Sequence, residues 1–364
     1  MIGSLGKRAD MVVHEAEPYN AEPPRAALAE AALTGLDTFY VRNHGPVPEL
    51  DGGSWRLLVG GLVDRELRLS LDELRARFGE RRLIATLQCA GNRRAGLQEE
   101  REIPGEAPWG PGATGTAEWT GASLAELLRA AGLRDDARHV EFIGADVSSE
   151  ASPPQRFGAS ISRRKALAGE VLVAWGMNGR PLPPAHGAPL RVVVPGYIGA
   201  RSVKWLERIL ARATPSENFF QAQTYRLLPP DSEPDAGLRG EGVALEALAV
   251  NCDFLSPADG EVMAAGTVTV EGYALAGDDR RIVRVDVSAD SGRRWRQAEL
   301  LDPPSRWAWR RWRARLELGP GETELVARAW DSAASTQPSS PAEVWNPKGY
   351  ANNSWARLTV RVLG

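Results

Sequence analysis

Residues 82–94 read RLIATLQCAGNRR, a short apolar run that ends in a cysteine and a polar loop. The run 82–88 predicts a buried β-strand. Cys89 therefore lies at a strand-to-loop junction beside Arg93 and Arg94, where positive charge favours the thiolate. A thiolate serves as a nucleophile or as a ligand for a soft metal, whereas a cysteine with neither role is a small apolar core residue. The residues of this stretch leave these three interpretations open.

A cysteine nucleophile needs a histidine partner, and the sequence holds four histidines. His139 falls in a predicted strand and His14 in the N-terminal arm. His44 and His186 both lie in loops rich in glycine and proline. The spacing alone does not choose among them.

The sequence contains two cysteines, Cys89 and Cys252, and no Cys-x-x-Cys motif. This excludes a CxxCH haem attachment, a zinc knuckle and a cysteine-ligated iron–sulfur cluster. The two cysteines are predicted in different domains, which favours reduced thiols and a cytoplasmic location. The first 20 residues lack the apolar core of an export signal, so a periplasmic location would require that a signal had been removed.

The flanking sequence mixes strand and helix patterns. Ser70 with Glu73 matches a capping box that predicts a helix to about residue 78, and Ser123 with Glu126 predicts another to about residue 131. Strands interleaved with short helices and long loops favour an α+β domain. Buried strands are also predicted at 55–63, 138–144, 171–175 and 190–194.

Residues 229–243, PPDSEPDAGLRGEGV, have the composition of a linker. The pattern of apolar and polar residues changes after this segment. Beyond it, segments such as 266–275 (GTVTVEGYAL) alternate in period two and are separated by turn signals. They predict an immunoglobulin-like β-sandwich without the Cys…Trp…Cys signature of antibody domains. The predicted domains are residues 1–230 and 245–364, joined by a linker at 231–244.

The composition limits the kind of partner. Lysine and arginine number 44 against 47 aspartates and glutamates, a net charge of −3. This argues against a general nucleic-acid or anionic-membrane binder, so any anion site must be a local group of basic residues. No apolar run approaches the roughly 20 residues of a membrane span.

Two further loops have the composition of an anion site. Residues 39–48, FYVRNHGPVP, place Arg42, Asn43 and His44 side by side on a proline-punctuated loop, an arrangement that suits phosphate or a small oxyanion. In the segment 186–204, glycines and prolines flank His186, Arg191 and further basic residues, which is also typical of an anion-binding loop. Each loop by itself is equally typical of a solvated connection.

Five segments in this order resemble the sulfite oxidase family. They are FYVRNHGPVP (39–48), TLQCAGNRR (86–94), WGPGATGTAEWTGASL (109–124), MNGRPLPPAHGAPLRVVVPGYIGARSVKW (177–205) and WNPKGYANNSW (345–355). The resemblance covers nearly the whole chain and implies oxidation of sulfite to sulfate by oxygen-atom transfer at a molybdenum–molybdopterin cofactor. It also implies that the β-sandwich is a dimerisation domain that forms a homodimer.

The resemblance assigns roles to individual residues. Cys89 matches the cysteine that ligates molybdenum. The residues that match pterin-binding positions are Tyr40, Val41, Arg42, Asn43, His44, Asp146, His186, Arg191, Ser202, Val203 and Lys204. The residues that match the catalytic oxyanion pocket are Arg42, Cys89, Arg94, Trp109 and Tyr225, with Lys348 contributed by the sandwich.

The sequence departs from the animal members of the family at two positions. Lys348 stands where they often have arginine, and it is a point charge rather than a planar fork. Gly110 follows Trp109 where they carry another arginine. Both departures bear on the strength of sulfite binding more than on the type of reaction.

Two other functions remain open at this point. One is a molybdenum oxidoreductase of the nitrate reductase type, which Tyr225 disfavours, and the other is a non-catalytic scaffold that binds molybdopterin, which Cys89 disfavours. With both domains assigned, no room is left for a haem or flavin domain. We therefore expect an external electron acceptor, either a carrier protein or dioxygen.

Overall fold

The computed structural model describes residues 5–364 and contains a mixed α+β domain followed by a β-sandwich. The helices are α1 Arg25–Ala29, α2 Leu71–Arg77, α3 Arg94–Glu100, α4 Leu124–Ala131 and α5 Arg163–Ala166. The strands of the first domain are β1 Val12–Glu15, β2 Asn20–Glu22, β3 Leu57–Gly61, β4 Leu67–Leu69, β5 Arg81–Gln88, β6 Thr114–Ser123, β7 His139–Ser148, β8 Gln155–Ser162, β9 Leu172–Met177, β10 Arg180–Pro181, β11 Arg191–Val193 and β12 Leu206–Arg212.

These strands form two main sheets. One has the order β10-β9-β6-β5 with β11 paired to β9, and the other has the order β4-β3-β12-β7-β8. The core lies between them, where Val173 of one sheet and Val140 of the other join the apolar face of α4. The predicted strands at 82–88, 138–144, 171–175 and 190–194 are therefore confirmed, and the one predicted at 55–63 is shorter.

Only one of the two predicted capping boxes forms. At α2, the Glu73 N–H donates to Ser70 Oγ at 3.1 Å, and the Ser70 N–H donates back to Glu73 Oε2 at 2.8 Å. At α4, Ser123 makes no capping bond. It is the last residue of β6 and pairs with Leu172, so the strand runs directly into the helix. Glu126 instead contacts Arg81, and the capping prediction at Ser123 is wrong.

The segment predicted as a linker is packed against the first domain. The two-residue strands β13 Arg226–Leu227 and β14 Val243–Ala244 pair with each other and bring its ends together. Between them a 3-10 turn covers Ala236–Arg239, with Ala236 buried. The linker composition therefore describes a folded-back loop rather than an extended spacer.

The second domain is a sandwich of two sheets, with the orders β15-β17-β21-β20 and β16-β23-β22-β18-β19. Its strands are β15 Asn251–Ser256, β16 Val262–Ala264, β17 Gly266–Leu275, β18 Ile282–Ser288, β19 Arg296–Gln297, β20 Glu299–Leu300, β21 Arg310–Leu318, β22 Gly321–Asp331 and β23 Ala356–Leu363. Alternate residues face the core, where Trp312 lies edge-on to Phe254 at 5.4 Å. The predicted sandwich is confirmed.

The two domains share hydrogen bonds close to the cysteine loop. The Thr86 N–H donates to Trp307 O at 3.0 Å, and the Ala351 N–H donates to Ala90 O at 2.8 Å. The loop that follows β5 is thereby fixed from both domains. None of the helices within residues 5–364 combines the length and apolar character needed to cross a bilayer.

Candidate active site

A cavity opens at the carboxyl end of β5, in the first domain. It is formed where the loops 39–44, 186–191 and 199–205 converge on the loop that follows the strand. Its lining includes residues predicted for both the cofactor and the substrate: Tyr40, Arg42, Asn43, His44, Cys89, Asp146, His186, Arg191, Ser202, Lys204 and Tyr225. The fold thus gathers eleven residues that the sequence spreads over 186 positions.

Cys89 sits at the floor of this cavity and is 7% exposed. Its N–H donates to Ala113 O at 2.9 Å, and the Gly91 N–H points at its sulfur at 3.4 Å. Burial raises the pKa of the Cys89 thiol, while the Arg42 charge and the Gly91 N–H lower it. The thiolate is therefore favoured only when a further positive charge, such as a metal ion, faces the sulfur.

Arg93 does not face the cysteine, contrary to the prediction. It has a left-handed backbone, with φ at 64°, at the start of α3. Its side chain consequently crosses to the second domain, where it donates to Ser354 O at 2.9 Å and Trp355 O at 3.0 Å. Two neighbours in sequence thus point in different directions, and Arg93 joins the domains.

One wall of the cavity carries buried cations whose partners are uncharged. Arg191 donates to His186 O at 3.1 Å and to Ser202 O at 2.9 Å. Lys204 donates to Ala185 O at 3.0 Å and contacts Asn43 Oδ1. Burial lowers the pKa of Arg191 to about 10 and that of Lys204 well below its ordinary value. Buried cations normally have an anionic partner, so this wall fits an anionic group such as a phosphate.

Asp146 adds an acceptor to the same wall. Its Oδ1 is buried without a hydrogen-bond partner. Burial raises its pKa to about 6, and the Lys204 charge opposes that rise. An unpartnered buried oxygen fits a ligand that brings its own N–H groups, as a pterin ring does. The wall therefore fits both the ring and the phosphate of molybdopterin.

Lys7 completes this wall from behind and was missed by the sequence analysis. Its Nζ donates to Leu36 O at 2.5 Å and to Phe39 O at 2.7 Å, and lies 2.7 Å from His186 Nε2. Burial lowers the pKa of Lys7 to about 7 and that of His186 well below its ordinary value, so this contact joins a neutral imidazole to a readily neutralised amine. No motif marks this lysine, because its partners are 29 or more positions away.

The opposite wall carries a tyrosine–histidine pair. Tyr225 follows a π-helical turn at Phe220–Thr224 and is buried, with its Oη 2.8 Å from His44 Nε2. His44 stacks on Phe157 at 4.5 Å. Burial raises the pKa of Tyr225 and lowers that of His44 well below its ordinary value, so both groups are neutral at pH 7. Arg42 lies beside them, with Nη2 3.8 Å from Glu150.

Five of the predicted site residues do not line the cavity: Val41, Arg94, Trp109, Val203 and Lys348. Trp109 is 1% exposed and packs on His14 at 4.6 Å. Gly110, next to it, donates its N–H to Glu22 Oε1 at 2.5 Å. A Cβ at Gly110 would lie 3.1 Å from the same oxygen, so a side chain there would require a small shift of Glu22.

Arg94 packs against a second tyrosine that the sequence analysis missed. Tyr350, from the second domain, stacks on Tyr225 at 5.3 Å, and the Arg94 guanidinium lies 5.1 Å from its ring centre. The ring is buried, and the Arg94 charge acts on both Cys89 and Tyr225, so Arg94 lies beside the cavity without lining it. The sequence could have indicated Tyr350, because it lies two positions after Lys348 in the segment 345–355.

The described protein groups do not bind a metal by themselves. Between residues 5 and 364, no three His, Cys, Asp or Glu side chains are arranged to hold an ion. Cys89 and Cys252 are both free and buried. Among the residues that line this cavity, Cys89 provides the thiol.

The cavity, its single facing thiol and its cationic wall are those of a molybdopterin-binding oxidoreductase. Residues 44–220 match the family model described as oxidoreductase molybdopterin binding domain, and residues 243–363 match the Mo-co oxidoreductase dimerisation domain. Both family descriptions name the molybdopterin or Mo-co cofactor.

Individual relatives narrow the class. The chain is 42% identical to sulfite oxidase of Gallus gallus, covering 98% of this chain and 79% of that one. It is 39% identical to the mitochondrial sulfite oxidase of Mus musculus, covering 96% of this chain and 65% of that one. The sulfane dehydrogenase SoxCD of Paracoccus pantotrophus has a similar structure, with a TM-score of 0.82 at 27% identity over 99% of this chain and 89% of that one. The chain belongs to the sulfite oxidase family.

A nitrate reductase is also related. The NAD(P)H enzyme of Hordeum vulgare is 36% identical over 95% of this chain, which spans 41% of that protein. The nitrate reductase alternative is therefore supported less strongly than the sulfite oxidase one, because this relative is less similar and this chain spans a smaller share of it.

Proposed function

We propose that this protein oxidises sulfite to sulfate with a molybdenum–molybdopterin cofactor and passes the electrons to an external acceptor. The observation that carries the proposal is one cavity in which Cys89, Arg42 and Tyr225 share the lining with buried cations that hydrogen-bond only to uncharged oxygens. The relatives named sulfite oxidase supply the substrate.

The bound cofactor would accept two electrons and provide the oxygen atom that converts sulfite to sulfate. Cys89 Sγ would be the single protein ligand of its metal, as a soft thiolate suits molybdenum. Arg191, Lys204, His186 and Asp146 would hold the pterin and its phosphate. Lys7 would hold the His186 ring in place through its contact with Nε2.

Arg42 and Tyr225 would act on the substrate. The Arg42 guanidinium cannot lose its charge at any working pH, so it orients an oxyanion without a proton exchange. His44 Nε2–H would donate to Tyr225 Oη, which leaves the phenolic proton free for a sulfite oxygen. The raised pKa of Tyr225 keeps that proton in place.

The electrons would leave to a separate carrier protein or to dioxygen. Of the four histidines, His44 and His186 face the cavity, His14 bonds to Glu22, and His139 lies in β7, which leaves no pair for a haem. We also propose a cytoplasmic location, in keeping with two free thiols. The purified protein should show neither haem nor flavin absorbance.

We further propose a homodimer joined through the second domain, with the domains at residues 1–230 and 245–364 and the linker at 231–244. The match to a dimerisation domain supports the pairing. A two-fold axis would give each protomer the same interface patch. Light scattering at micromolar concentration should give twice the chain mass, and a fully active monomer would contradict the proposal.

The deciding experiment is molybdenum analysis followed by a sulfite–ferricyanide assay. We expect molybdenum at close to one atom per chain and sulfite-dependent ferricyanide reduction. Nitrate reduction without sulfite oxidation would favour the nitrate reductase alternative. Molybdenum-loaded protein that turns over neither substrate would favour the scaffold.

A further inference from the structure

The cations at the mouth of the candidate site are each matched by a carboxylate. Glu106 Oε2 lies 3.2 Å from Arg94 Nη2, and its Oε1 contacts Lys348 Nζ. Glu106 belongs to the loop between α3 and β6, whereas Lys348 belongs to the second domain. One carboxylate therefore bridges the two cations that the family resemblance assigns to the substrate anion.

Two further nitrogens of Arg94 are bonded to backbone carbonyls. Its Nε donates to Lys348 O at 3.1 Å and to Gly349 O at 3.3 Å, and its Nη1 donates to Ala107 O at 3.0 Å. The Arg94 guanidinium is thus fixed in place, and Glu106 is the acceptor that faces its Nη2. An oxyanion that binds at Nη2 competes with the Glu106 carboxylate for this position.

The bridge is accessible enough for such an exchange. The side chain of Arg94 is 4% exposed, but those of Glu106 and Lys348 are 17% and 22% exposed. Glu106 and the sulfur oxyanions are similar acceptors for a guanidinium and an ammonium. The flexible Lys348 and Glu106 side chains can separate, while Arg94 stays where it is.

We infer that Glu106 sets the affinity of the site for oxyanions: its carboxylate occupies the position between Arg94 and Lys348 and is displaced when the substrate anion binds. The inference rests on the proposed function. Arg42, Arg94 and Lys348 contribute three positive charges, and Glu106 and Glu150 contribute two negative ones. The net charge of these five groups is therefore 3 − 2 = +1. Such a site binds a dianion weakly and lets the sulfate product leave, because Glu106 takes its place again.

The test is Glu106→Gln in the molybdenum-loaded enzyme, since glutamine keeps the shape and removes the competing charge. We expect the dissociation constant for sulfate, measured by calorimetry, to fall about tenfold, equivalent to ~1.4 kcal/mol. The KM for sulfite should fall in parallel, and kcat should fall as sulfate release slows. Glu126→Gln is the matched control, because it removes one carboxylate from the surface pair with Arg81.

Unchanged or weaker sulfate binding by the glutamine variant would overturn the inference, because it would give Glu106 a purely structural role. If that variant fails to fold, Glu106→Asp serves instead. Aspartate is too short to bridge both cations, so sulfate should bind about threefold more tightly, equivalent to ~0.7 kcal/mol. An unchanged dissociation constant for sulfate in Glu106→Asp would likewise overturn the inference.

The two proposals fail in different ways. If the unmutated enzyme does not oxidise sulfite but Glu106→Gln still tightens sulfate binding, the proposed function is wrong and the exchange holds. If the enzyme oxidises sulfite and the variant binds sulfate as before, only the exchange is wrong.

Discussion

The two ends of the cavity use cations in opposite ways. On the inner wall, Arg191 and Lys204 are buried and contact only uncharged oxygens. At the mouth, Arg42 lies near Glu150, and Arg94 and Lys348 share Glu106. An uncompensated buried charge is unfavourable unless an anion stays bound, whereas a compensated one can exchange its partner. The inner wall therefore suits a resident cofactor, and the mouth suits an anion that comes and goes.

The largest expected effect is at Cys89, which lines the same cavity as the inner-wall cations. Cys89→Ser should lower sulfite oxidation at least about a thousandfold, because a serine oxygen is a harder and more basic donor than thiolate. The pterin should remain, since the inner wall holds it. Molybdenum content, pterin fluorescence and the sulfite–ferricyanide rate decide this. Cys252→Ser is the control, and normal turnover by loaded Cys89→Ser protein would contradict the ligand assignment.

Lys204→Met tests the inner wall directly. Loss of a charge-assisted contact worth ~1.5–3 kcal/mol should weaken cofactor retention on the order of ten- to a hundredfold. The cofactor-free protein should instead become more stable to urea, because burial lowers the pKa of Lys204 well below its ordinary value and folding therefore disfavours its charged form. Lys165→Met is the matched control, since Lys165 is paired with Glu170 at 2.7 Å and its loss should destabilise. If the Lys204 variant is destabilised as much as the Lys165 control, the proposed difference between the inner wall and a paired buried lysine is wrong.

Arg42→Gln tests the mouth. The KM for sulfite should rise at least about tenfold, equivalent to ~1.4 kcal/mol, while cofactor content stays unchanged. Steady-state kinetics with ferricyanide measures this, and Arg156→Gln, from the exposed pair with Glu207, is the control. An unchanged KM would assign Arg42 to the structure rather than to the substrate.

The smallest expected effect is a pH dependence of stability in the cofactor-free protein. The pKa of Asp146 rises from 3.8 to about 6 on folding, so the native state binds its proton more tightly. The resulting stabilisation is fully present below about pH 3.8 and is lost as the pH rises through 6. Asp146→Asn should remove this contribution from urea unfolding curves taken between pH 4 and 7. Identical pH profiles in the two proteins would show that Asp146 is not held in this state.

The sequence predicted what depends on local pattern. The strand ending at Cys89 and the period-two segments of the sandwich follow from alternation and turn residues, and both are confirmed. The failures have physical causes that local patterns do not contain. Ser123 ends a strand that runs directly into α4 and makes no capping bond, and Arg93 turns away at a position with positive φ.

The candidate site was predicted less completely than the fold. The residue-by-residue resemblance named eleven residues that the structure brings to one cavity. It missed Lys7, Glu106 and Tyr350, whose partners lie far away in sequence. Their importance depends on packing between distant segments, so no spacing rule identifies them.

The hydrogen bond from the Ala351 N–H to Ala90 O sets an order of events during synthesis. Ala90 directly follows the proposed metal ligand, and Ala351 comes 261 positions after Ala90 (351 − 90). Domains generally fold from the N-terminus as the ribosome delivers them. The loop holding Cys89 thus waits for this backbone partner until most of the second domain has been synthesised. Cofactor insertion into a finished cavity is accordingly a step that follows synthesis of the second domain.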